Sequence, residues 1–166
     1  MVISKTPLTC NLKINNTPIE QLSRINYLRV EISSLRSVGG EVKSHVVKGA
    51  RISGCLYSLI WKNKYLSPEG KVWIYKTCVR PVITYGAESR ADTTLTKQLL
   101  KTIEMRIIRT IHGKTIRDKI RSENLKEQSK IQDITDWVGV RRKCWADHVE
   151  RMPVNRLAKI ICDNYL

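Results

Sequence analysis

The sequence predicts a mainly α fold, a bundle of helices preceded by a short β-hairpin. Three observations carry that expectation. Alternation at period two is confined to the first 33 residues. From Val42 onward, apolar residues recur at three- and four-residue steps. Capping and breaking residues fall between these runs. A chain of 166 residues suits one domain, or one domain with an appended edge of another. We place the hairpin edge at 1–38 and the helical region at 39–166.

Leu8–Ile14 alternates roughly at period two, Asn15-Asn16-Thr17-Pro18 is a turn signal, and Tyr27–Ile32 alternates again. A hairpin, or two strands of a small sheet, follows. Ser37–Gly40 breaks the pattern. Val42, Val46, Ala50, Ile52, Cys55, Leu56, Leu59 and Ile60 then form an apolar helical face. Ser67-Pro68-Glu69 supplies an N-cap hydroxyl, a first-turn proline and an acid near the positive helix end. This helix is expected to reach about Val79, where Pro81 kinks or restarts it. Asp92 or Thr93 can cap a third helix with Leu95, Leu99, Leu100, Ile103, Ile107 and Ile111 as its stripe, stopped by Gly113. Residues 114–130 are short, polar and charged. A fourth helix spans Ile131–Met152, with Ile134, Trp137, Val138, Trp145, His148, Val149 and Met152 as candidate core. After Pro153, Arg156–Tyr165 closes the chain as a short helix.

An apolar fraction of 42% with 27% charged residues argues against disorder. The charge balance is unusual: 30 Lys and Arg against 15 Asp and Glu, a net +15. Residues 42–91 hold nine basic and two acidic side chains, and residues 92–130 hold ten and five. A field of that sign attracts polyanions, nucleic acid first. The five cysteines are widely spaced with no CxxC pair, which suits a reducing compartment and cysteines acting as small apolar residues. The first residues carry Lys5 and Pro7 and no apolar run of signal-peptide length. An intracellular protein, nuclear or cytoplasmic, without a membrane partner is expected.

No catalytic constellation is visible. No two acids are adjacent; Asp133/Asp136 and Asp147/Glu150 have helical spacing and suit solvent-facing partners of Arg141, Arg142 and Arg151. Cys144, His148 and Cys162 fall short of four tightly spaced zinc ligands. There is no GxSxG elbow and no glycine-rich phosphate loop. Neither a catalytic residue nor a metal or cofactor is therefore assigned. Nucleic-acid binding has positive support. Lys43, Lys48, Arg51, Lys71, Lys76 and Arg80 can line a phosphate backbone, with Tyr75 and Tyr85 among the aromatic rings that can stack on bases or sugars. With no Phe in the chain, at least half of Tyr57, Trp61, Tyr65, Trp73, Tyr75 and Tyr85 are expected in the core.

Residues 71–88 read KVWIYKTCVRPVITYGAE, and residues 145–152 read WADHVERM. With Lys5-Thr6 and the run Tyr27-Leu28-Arg29-Val30 before them, they resemble in order and spacing the region after the catalytic centre of non-LTR (LINE-type) retrotransposon reverse transcriptases. The resembling residues are Lys5, Thr6, Tyr27, Leu28, Val30, Gly86, Glu88, Trp145, His148 and Arg151. Arg29, Arg90 and Asp147 depart from the family pattern. The resemblance implies a helical thumb and connector preceded by a β-hairpin left from the polymerase palm. It also implies RNA/DNA template–primer as partner, with the missing polymerase core as a possible second one. The catalytic Asp pair lies outside the resembling region, so Mg²⁺ is expected only for an intact parent RNA-directed DNA polymerase. Two other readings fit the residues: a DNA-binding regulator using Leu95–Gly113 as a recognition helix, and a remnant with only protein docking or no activity.

Overall fold

The computed structural model describes residues 8–28, 30–34, 38–90 and 92–165. Lys5, Thr6 and Arg29 lie outside the described residues.

Two antiparallel hairpins lead into helices. β1 (Lys13–Ile14) pairs β2 (Thr17–Pro18), and β3 (Arg24–Tyr27) pairs β4 (Val30–Ser33), with Arg24 opposite Ser33 and Tyr27 opposite Val30. The two alternating runs thus do not pair with each other. The first closes locally, because Asn15 and Asn16 both take positive φ (47° and 62°), and the second is not one strand but is divided between β3 and β4, with Tyr27 pairing Val30.

α1 (Val38–Leu56) begins before Gly40 and continues into a π-helical turn, Tyr57–Trp61. α2 (Pro68–Ile74) starts where its cap signals place it, with Ser67 Oγ accepting from the Gly70 amide at 3.1 Å. Pro81 restarts the helix, as its missing amide requires. A π-helical stretch, Tyr75–Val79, precedes it and leads directly into α3 (Arg80–Ile83). A wider turn there accommodates the amide donor and the space that proline removes. α4 (Thr94–Ile111) opens on a capping box between Thr93 and Thr96. Residues 114–130 contain a short 3₁₀ turn (Ile116–Asp118) and α5 (Ser122–Gln128), followed by α6 (Ile134–Glu150), capped by Asp133, and α7 (Leu157–Tyr165). None of these helices is long and apolar enough to cross a membrane.

The core joins Val42 of α1 to Tyr75, Val79 and Ile83, and to Leu100, Ile103, Ile107, Ile108 and Ile111 of α4, with Leu125 and Ile134 beyond. α1 approaches α3 closely at Gly49, where a Cβ would stand 2.3 Å from Ile83 Cγ1. Only a residue without a side chain fits that crossing. Trp145 and His148 lie at the surface of α6 rather than in the core, and Leu95 is exposed on α4. Cys10, Cys55, Cys78 and Cys144 are exposed free thiols rather than packed apolar groups.

One buried carboxylate ties three segments together. Glu104, fully buried on α4, accepts from Tyr75 Oη at 2.8 Å and Arg80 Nη2 at 2.7 Å on one oxygen, and from the Ile134 amide at 3.0 Å on the other. Arg80 also donates to the Gln132 carbonyl. Both carboxylate oxygens accept hydrogen bonds, one of them from a buried guanidinium, which is the condition for keeping a charge out of water.

Candidate nucleic-acid interface

On α1 the one acidic residue is Glu41, and on α4 it is Glu104; they are 7% and 0% exposed. The basic residues of the same helices point outward, Lys43, Lys48 and Arg51 on α1 and Lys97, Lys101 and Arg106 on α4, with Arg109 of α4 half-buried. The apolar pattern forces this arrangement. Val42, Val46 and Ala50 turn α1 inward along one side, and Leu100, Ile103 and Ile107 do so on α4, leaving the lysines and arginines the solvent side. The outer surface contributed by these two helices is therefore cationic without interspersed acid. Lys101 alone meets an acid from another element, Asp133 at 3.8 Å. A shallow cleft of about 240 Å³ runs between α1 and α4, past Gly54, Tyr57 and Arg106, and Lys62 lies 5.1 Å from the Tyr57 ring centre.

Of the sequence-predicted contacts, Lys43, Lys48 and Arg51 share the outer side of α1. Lys76 is exposed in a different cleft and donates to the Lys130 carbonyl at 3.1 Å. Lys71, Tyr75 and Arg80 are buried and committed to internal partners, which takes them out of reach of a phosphate backbone. Lys71 Nζ donates to the Trp61 carbonyl at 2.9 Å, closing the end of the π turn. Burial, then the charge of Glu104, pushes the Tyr75 phenol well above its ordinary range, so it stays a neutral donor. The aromatic expectation is corrected too. Trp61 and Tyr75 are buried, whereas Tyr57, Tyr65, Trp73 and Tyr85 are exposed. Isoleucine and leucine supply the bulk that the missing Phe would have given.

The residues of the sequence motifs gather in two places. Tyr27, Leu28, Val30, Gly86 and Glu88 line one groove of about 560 Å³ with Tyr85, Trp137 and Arg141. Tyr85 Oη donates to the Leu28 carbonyl at 3.0 Å, fastening the second hairpin to the end of α3. Gly86 takes φ +70°, and a Cβ there would meet Glu41 Oε1 and Val30 Cγ2 at 3.4 Å. Arg141 pairs with Glu88 at 3.3 Å and lies 5.6 Å from the Trp137 ring centre. His148 and Arg151 line a second cleft, between α6 and α7, and Trp145 is exposed on α6.

Behind the first groove lies a buried ionic cluster that the sequence did not announce. Arg90 sits 3.6 Å from Glu41 and 3.5 Å from Asp92, and Arg142 bonds Asp92 at 2.7 Å and the Ala87 and Arg90 carbonyls at 2.9 Å. Burial raises the Glu41 carboxyl above its usual range despite the Arg90 charge. His45, also buried and 5.6 Å from the Tyr85 ring, is pushed below its ordinary pKa by burial and by the Lys48 and Arg90 charges. These groups tie Ala87, Arg90 and Asp92 to α1 and α6.

A Ser–His contact appears between α4 and α5: His112 Nε2 lies 2.7 Å from Ser129 Oγ. The hydroxyl donates to the Leu125 carbonyl at 2.6 Å, so it accepts from the imidazole and is not poised as a nucleophile. Among the described residues no group of three or more His, Cys, Asp or Glu side chains gathers as a metal site.

No protein-family model matches the chain, and no curated protein or solved structure matches it.

Proposed function

We propose that this chain is the thumb and connector portion of a non-LTR retrotransposon reverse transcriptase, binding template–primer nucleic acid through its backbone and without sequence specificity. One observation carries the reading: on the two longest helices every acid is buried and all the basic residues but the half-buried Arg109 face solvent. A surface built that way has little internal counter-charge, Asp133 beside Lys101 aside, so it meets a polyanion by releasing counterions from it. The motif order in the sequence supports the choice of family, and the gathering of Tyr27, Leu28, Val30, Gly86 and Glu88 in one groove is consistent with their acting as a unit. On this reading the chain is non-catalytic alone, and Mg²⁺ belongs to the parent polymerase.

Charge reversal of Lys43, Lys48 and Arg51 tests the reading, because all three are exposed and none makes a hydrogen bond or ion pair through its side chain among the described residues. The triple variant is expected to lose affinity for RNA–DNA hybrid and duplex DNA alike, since phosphate contacts carry no sequence information. Unchanged affinity for both would overturn the proposal.

A further inference from the structure

A second concentration of positive charge lies at the C-terminal half of α4, where the chain turns back through residues 114–122. An open cleft of about 630 Å³ forms there, and no acid lines it. Arg106, Arg109 and Lys114 converge on it from three successive turns of chain, and Lys101 stands at its rim. Arg106 and Lys114 are exposed, and their side chains make no hydrogen bond or ion pair among the described residues. Arg109 is half-buried and weakly held, with Nη2 at 3.4 Å from the Ile120 carbonyl and 3.3 Å from Ser122 Oγ. Ser122 accepts in that contact, leaving its hydroxyl proton to give. Asp118, in the same return segment, has its carboxylate engaged by the Thr115 amide and hydroxyl, and Asp133 stands 3.8 Å from Lys101.

Unpaired guanidinium and ammonium groups held close together repel one another, and an anion placed among them removes that repulsion. Arg106 and Thr110 line both this cleft and the one between α1 and α4, so the two border each other. We propose that the α4 cleft is the seat of a backbone phosphodiester, with Arg106, Arg109 and Lys114 as its charged contacts. The strand runs from it across Arg106 toward the outer side of α1. The inference rests on the nucleic-acid reading above and adds the place where the strand is gripped.

The experiment compares Arg106→Gln/Lys114→Gln with Lys13→Gln/Lys143→Gln, which removes the same charge from exposed positions on β1 and α6. A fluorescein-labelled RNA–DNA hybrid is the probe, and Kd is read at about 50 and about 200 mM salt. Each phosphate contact accounts for about a 3.5-fold loss of affinity over that fourfold salt change. Loss of two contacts should therefore shrink the salt-induced change in Kd by about twelvefold in the cleft variant, and by less than about twofold in the control. As a second readout, acylation of Lys114 in the unmutated chain should be suppressed when the hybrid is bound. Equal salt dependence in the two variants, or Lys114 acylation unaffected by hybrid, would overturn the phosphate seat while leaving the broader reading intact. No binding by the unmutated chain would overturn that reading, and the seat with it.

Discussion

Replacing Glu104 by leucine removes the acceptor for Tyr75 Oη, Arg80 Nη2 and the Ile134 amide at once. The largest consequence is electrostatic. The Arg80 side chain is 3% exposed, and without its partner it becomes an unpaired buried charge, a change that costs about 3–5 kcal/mol. The Ile134 amide, at the first turn of α6, loses its Glu104 acceptor, which adds about 1–3 kcal/mol, although the terms share partners and do not simply sum. A total loss of at least about 4 kcal/mol is expected, against a domain stability of roughly 5–15 kcal/mol. In urea, with a slope of about 2 kcal/mol per molar, the midpoint falls by about 2 M. The double variant Arg80→Met/Glu104→Leu removes both charges and should be milder than the single variant by at least about 2 kcal/mol, because no buried charge is stranded. Chemical denaturation followed by far-UV circular dichroism measures both. A Glu104→Leu midpoint within about 0.5 M of the unmutated protein would refute the reasoning, as would a double variant no more stable than the single one.

Further outcomes follow from other sites. Gly49→Ala places a Cβ against Ile83 and should lower stability by about 1–3 kcal/mol in the same urea assay, because the α1–α3 crossing has no room to relax. Gly86→Val combines a positive φ with crowding against Val30 and should cost about 1–2 kcal/mol while increasing amide exchange in β3 and β4. Burial opposes ionisation of Asp133, yet bonds from Lys126 and Thr135 outweigh it and bring its carboxyl down to about 2 from 3.8. A depressed acid stabilises the fold above its unfolded pKa, so the Asp133 contribution is lost as pH falls from 3.8 toward 2, and Asp133→Asn should flatten that part of the stability profile. His45 and His112, both lowered from 6.5 chiefly by burial, add stability above 6.5 that is lost as pH falls through their folded values. His45→Gln should reduce the dependence in that acid range.

The helical architecture was legible because its signals are local. Ser67-Pro68-Glu69 and Thr93 mark helix starts by their own hydrogen-bonding chemistry, and the Leu100–Ile111 stripe fixes which side of α4 turns inward. Pro81 marked the restart at α3, while the π stretch before it left no sign in the residue pattern. Arg80 and Lys71 read as surface cations because their partners are far away in sequence or are backbone carbonyls. Glu104 is 24 residues from Arg80, and a carbonyl such as that of Trp61 leaves no trace in the residue pattern. The Arg90–Asp92–Arg142 cluster was hidden for the same reason. Lys43, Lys48 and Arg51 were placed on one exposed helical side by periodicity alone, and the fold leaves them there. The α4 cleft depended on the return of the 114–122 segment, which periodicity does not encode.

The most direct measurement is fluorescence anisotropy of the purified chain with an RNA–DNA hybrid and two duplex DNAs of unrelated sequence, at low and physiological salt. The account predicts similar affinity for all three and weakening of about 3.5-fold per phosphate contact for each fourfold rise in salt. Marked preference for one duplex sequence, or no binding even at low salt, would contradict it.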